Sequence, residues 1–76
     1  MKKKNDRIDD LMEALEKRHV RVTLNTKETV EGVIDCYIHR GDSDRFGYSL
    51  ILFALDDDGG VFYYEDEIAD IEPIDG

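Results

Sequence analysis

The sequence is short of the devices that usually stabilise small domains. Cys36 is its one cysteine, so no intrachain disulfide can form, and no Cys/His cluster is present to hold a structural metal. No apolar run is long enough to cross a bilayer. The longest, Leu50–Leu55, covers a fraction of the roughly 20 residues a spanning helix needs. The opening MKKK runs straight into polar NDR, without the apolar stretch of a secretory signal. A reduced, cytoplasmic protein with no membrane partner is expected. Basic residues are missing from 56–76, where nine acids stand alone; residues 1–55 hold ten bases and ten acids and cancel. The resulting net charge of −9 opposes general binding to phosphate backbones. Nor does any Ser or Cys stand in a nucleophile arrangement with His19 or His39, so the chain is not expected to be an enzyme, and no cofactor or metal is implied.

What is present reads as a single domain, 1–76: a flexible tail over 1–5, a helix over 6–18 and a small barrel over 19–74. Ile8, Leu11, Met12 and Leu15 form one apolar stripe at helical spacing, with Asn5 or Asp6 able to cap the first turn. Val20, Val22 and Leu24 alternate with polar residues, the pattern of a half-buried strand. After the polar turn NTKE, Val30, Ile34, Cys36 and Ile38 continue that alternation on a longer strand, with Cys36 expected among the buried side chains. Gly32 falls where another apolar side chain is due, which fits a bend or bulge. The loop RGDSDRFG (40–47) leads to Tyr48–Leu55, apolar enough to be covered on both faces. DDDGG then turns the chain into a fourth strand, Val61–Glu65. Asp66–Glu67 is read as a corner, and Ile68–Glu72 as a last strand ended by Pro73. The fold class is mainly β with one N-terminal helix, a five-stranded, strongly bent small barrel.

The run Val30-Glu31-Gly32-Val33-Ile34 is similar to the first motif of the Sm-like family within the SH3-like small barrels, and Ile68-x-x-Ile71 suits that family's last strand. The resemblance spans roughly residues 6–74. It implies the barrel fold and assembly through strand edges, commonly into rings. The family's RNA-binding loop has an Asp and an Asn after the glycine, where this chain has Tyr37, Ile38, His39 and a longer insertion. Its Arg-Gly pair is replaced by Glu65-Asp66-Glu67. The resemblance therefore implies the fold but not the uridine-rich RNA site.

Two clusters are candidate sites. His39, Arg40, Arg45, Phe46 and Tyr48 gather cationic and planar groups on one loop, the types that stack on bases or clamp a phosphate or carboxylate, although Asp42 and Asp44 neutralise them locally. Val61, Phe62, Tyr63 and Tyr64 put apolar or aromatic groups on both faces of the fourth strand, and one barrel interior buries only one face. Asp56, Asp58, Gly60 and Glu67 match part of a calcium-loop spacing, but Val61 stands at the glycine position and strands flank it, so no metal site is expected. A core this small supplies about 3–5 kcal/mol, and a second copy of the chain is the expected support. The leading expectation is a self-associating, non-enzymatic binding module. The alternatives are an RNA-binding Sm-like ring of altered specificity, and an acidic protein-binding adaptor or nucleic-acid mimic whose 56–76 segment docks on a basic partner.

Overall fold

The computed structural model describes residues 6–45, 47–57 and 59–74. It contains helix α1 (Asp6–Ala14) and strands β1 (His19–Leu24), β2 (Thr29–Ile38), β3 (Leu50–Leu55), β4 (Gly60–Tyr64) and β5 (Ile68–Pro73). A 3-10 turn, Glu65–Glu67, joins the last two. The sheet is antiparallel in the order β4-β3-β2-β1-β5, the mainly β, barrel-like small fold that the sequence predicts, with β4 and β5 at its two ends. No helix among the described residues is long and apolar enough to cross a membrane. The tail 1–5 and the side chains of Asn5 and Asp6 lie outside the described residues.

The helix is shorter than the predicted 6–18. Lys17 turns into the left-handed region at φ 69, and its amide donates to the Ile34 carbonyl at 2.7 Å, while the Ile34 amide donates back to Arg18. Residues 17 and 18 are thus captured by β2 before β1 begins. The apolar stripe still packs as expected: Ile8, Met12 and Leu15 join the core, with Leu11 against its margin. That core is completed by Val20 and Val22 of β1, Ile34 of β2, Ile51 and Phe53 of β3, and Ile68 and Ile71 of β5.

Strand β2 departs from its predicted alternation. Pairing with β3 is regular from Gly32↔Leu55 to Ile34↔Phe53, then shifts, so that Cys36 faces Leu52 and Tyr37 faces Ile51. Asp35 is the extra residue of a bulge. One inserted residue moves every later side chain to the other face. Tyr37 now packs against the core, and Cys36, expected inside, is half-buried and shares the outer face with Ile38. The bulge therefore sits three residues beyond Gly32. Gly32 has another role. A Cβ there would collide with the Ala54 carbonyl oxygen of the closely packed β3 backbone, and Gly32 pairs with β1 and β3 at once.

Gly32→Ala is expected to destabilise the fold by about 1–3 kcal/mol, because a Cβ has no space and must push β3 away. Urea denaturation of the variant beside the wild type measures this, and an unchanged midpoint would refute the close-approach account.

Candidate interaction site

The loop between β2 and β3 is pinned to the 3-10 turn by two arginines. Arg40 donates through Nε and Nη2 to the two carboxylate oxygens of Glu65, each at 2.8 Å. The pair is nearly shut off from solvent, the side chains 14% and 5% exposed. Glu65 Oε1 also accepts the Ser49 amide at 2.7 Å, and the Glu65 amide returns a bond to the Ser49 carbonyl at 2.8 Å. The Ser49 hydroxyl donates to Asp9 Oδ1 of α1, which also accepts the Tyr37 hydroxyl at 2.7 Å. One hydrogen-bonded chain, Arg40–Glu65–Ser49–Asp9–Tyr37, thereby joins the helix, strand β2, the loop and the turn.

Electrostatics follow this geometry. Burial pushes the Asp9 carboxyl up, but hydrogen bonds from Ser49 and Tyr37, with the positive fields of Arg40 and His39, outweigh it and hold the group below its ordinary value. Burial, together with the bond to Asp9, pushes the Tyr37 hydroxyl up to about 12.

Arg45 makes a second bidentate pair, Nη1 and Nη2 to the Asp66 carboxylate at 3.2 and 2.8 Å. Its guanidinium lies 4.1 Å from the centre of the Tyr48 ring and 5.0 Å from that of Tyr64, a cation–π arrangement. The Tyr64 hydroxyl donates to Asp44 at 2.6 Å. The structure thus brings Arg40, Arg45 and Tyr48 together, but with both guanidiniums committed to carboxylates of the chain itself. A phosphate arriving here has to displace bidentate carboxylates. His39 is exposed, its Nδ1 accepting the Gly41 amide at 3.1 Å, and Phe46 lies outside the described residues.

The fourth strand divides as its alternation requires. Val61 and Tyr63 pack inward, the Tyr63 ring tilted against Phe53 at 6.1 Å between centres. Phe62 and Tyr64 point outward. Phe62 is 64% exposed, the one large hydrophobic side chain so placed among the described residues. Cross-strand partners share a face, so Cys36, Leu52 and Phe62 form one outer row and Ile38, Leu50 and Tyr64 the next. Two open depressions flank Phe62. One, of about 250 Å³, is lined by Leu52, Ala54, Gly60 and Val61; the other, of about 270 Å³, by Ile38, Leu50, Leu52 and Tyr64. The interface candidates therefore fall into two groups, half-buried Val61 and Tyr63, packed against the core, and outward-pointing Phe62 and Tyr64.

Sequence reasoning missed Asp9, Ser49 and Glu65. The signal was available for two of them, since Ser49 and Glu65 share the inward parity of Ile51 and Phe53 and of Val61 and Tyr63. It also read the acids of 56–76 as unopposed. In space, Asp56 meets His19, Glu65 Arg40, Asp66 Arg45, Asp70 Arg7 and Glu72 Arg21.

No family model, curated protein or solved structure matches the chain.

Two outcomes test the buried network. Arg40→Met leaves the Glu65 carboxylate buried without its cation and is expected to cost about 3–5 kcal/mol. Arg40→Met combined with Glu65→Gln keeps an acceptor for the Ser49 amide and recovers most of that loss. A single variant within about 0.5 kcal/mol of wild type in urea denaturation, the spread of ordinary surface changes, would show that the pair carries no structural role. The raised Tyr37 value means that the neutral phenol stabilises the folded state. Its contribution is whole below pH 10 and is lost as pH rises towards 12. Stability followed over that window should therefore fall, and fall less steeply in Tyr37→Phe.

Proposed function

We propose that this chain is a non-enzymatic binding and assembly module, an Sm-like small barrel of the cytoplasm, that self-associates through the free edge and outer face of β4. The observation that carries this reading is Phe62. It stands 64% exposed at the middle of an edge strand, GVFYY, that has no charged side chain, and the apolar outer rows of β2 and β3 continue beside it. An uncharged, unpaired strand edge is a template for another strand and is normally blunted or covered. A domain of this size with a single cysteine, and so no intrachain disulfide, gains stability from a partner that binds only its folded form. The loop around Arg40 and Arg45 gives less support to an RNA reading, because its cations are already held by Glu65 and Asp66.

Sedimentation equilibrium at micromolar concentration is expected to report more than one 8.8 kDa chain per particle. Association should tighten as salt screens the charge of −9 on each copy. Phe62→Asp is expected to yield a folded monomer, since Phe62 lies outside the core, whereas Tyr63→Asp would damage the core itself. A monomer at every concentration and salt strength would overturn the proposal.

A further inference from the structure

The two ends of the sheet differ in what they offer another strand. Antiparallel ladders alternate between pairs that exchange hydrogen bonds and pairs that do not. The phase of β4 against β3 is fixed by two flanking bonds, Glu65 amide to Ser49 carbonyl and Leu55 amide to Gly59 carbonyl. In the observed register, Val61 and Tyr63 therefore bond to β3. The amides and carbonyls of Gly60, Phe62 and Tyr64 turn to the open edge, with the Tyr64 amide already donating to Glu67 Oε1 at 2.9 Å.

The same reasoning applied to β5 gives the opposite result. The Ile74 amide donates to the His19 carbonyl, so Glu72 and Asp70 bond to β1, and the backbone groups of Ile71 and Pro73 turn to the open edge. Pro73 has no amide hydrogen. Ala69 sits in the bulge where the register shifts between Thr23 and Leu24. Only the amide of Ile71 is left between a proline and a bulge, with the carboxylates of Asp70 and Glu72 on the same strand. Proline, bulge and charge are the devices that close a sheet edge to pairing.

We propose that two copies join isologously, β4 against β4 and antiparallel, about a two-fold axis at Phe62. This inference rests on the self-association reading and adds its geometry. About that axis the Phe62 amide of each copy donates to the Phe62 carbonyl of the other, and each Gly60 amide to the opposite Tyr64 carbonyl. Val61 lies opposite Tyr63. The outer faces are complementary in size as well. Tyr64 of one copy comes opposite Gly60 of the other, above the depression of about 250 Å³ that Gly60, Ala54 and Leu52 leave open. A two-fold contact uses each β4 edge once and closes at two chains, whereas a head-to-tail contact continues into a ring or filament.

The test uses the unaltered chain. Isotope-labelled and unlabelled copies are mixed at a concentration where sedimentation shows association, and contacts between copies are selected by isotope-filtered NMR. The expected result is a particle of twice the chain mass with an intermolecular contact between the α-protons of Val61 and Tyr63, which face each other at a non-bonded position. Intermolecular contacts between β4 and β5, or a closed particle of more than two chains, would overturn the two-fold geometry while leaving self-association standing. A monomer under all conditions would remove both.

Discussion

One extra residue in β2 controls the rest of the molecule. With Asp35 bulged out, Ile34 stays in the core, Tyr37 packs against it, and Cys36 and Ile38 turn to the outer face. Had the alternation continued, Tyr37 would point to solvent and its hydroxyl would not reach Asp9. The bulge therefore creates two features together. Inside, it supplies the phenol that ties helix α1 to the sheet. Outside, it supplies the first members of two apolar rows across β2, β3 and β4, Cys36–Leu52–Phe62 and Ile38–Leu50–Tyr64. The fold and this apolar outer face have a common origin in the register shift.

The polar chain from Arg40 to Tyr37 is costly to bury, and its arrangement explains how so small a core tolerates it. Glu65 takes two bonds from Arg40 and one from Ser49, and Asp9 takes one each from Ser49 and Tyr37, so the charge is met from several sides. No buried side-chain nitrogen or oxygen among the described residues is left without a partner. Such a network adds little net energy over an apolar packing of the same shape, but it accepts few alternative geometries. It positions the loop 39–49 and the turn 65–67 against each other. The exposed pairs Arg7–Asp70 and Arg21–Glu72 link distant parts of the chain in the same way, but solvent screens them and they add little.

Much of the fold was legible because it rests on local patterns. The stripe Ile8/Leu11/Met12/Leu15, the alternation of Val20, Val22 and Leu24, and the DDDGG turn each announce their element in a few residues. What was not legible depends on contacts distant in sequence. Lys17 carries no helix-stopping signature of its own; it ends α1 because the Ile34 carbonyl captures its amide. Asp35 looks like an ordinary polar residue in an alternating strand, and only the pairing with β3 reveals it as a bulge. For the candidate sites, composition picked out Arg40 and Arg45 but not the partners they meet in space. Arg40 and Arg45 read as cations offered to a ligand, and the acids of 65–67 as charge without a counterpart. Each is the other's partner across 25 and 21 residues.

Charge and edge chemistry act on different scales in this protein. A net charge of −9 repels copies at long range and keeps nonspecific contacts rare. Close to the surface that repulsion is uneven. A strand approaching β5 meets Asp70 and Glu72, finds no donor at Pro73 and an interrupted ladder at Ala69. A strand approaching β4 meets glycine, valine, phenylalanine and two tyrosines, with outward backbone groups at alternate positions. Next to β4, the carboxylates of Glu65 and Asp66 are already neutralised by Arg40 and Arg45. The buried pair and its exposed neighbour thus do more than hold a loop in place. They cancel two charges at the end of β4, and Asp70 and Glu72 of β5 are paired with Arg7 and Arg21 in the same way, so the two edges differ chiefly in backbone hydrogen bonding and apolar contact.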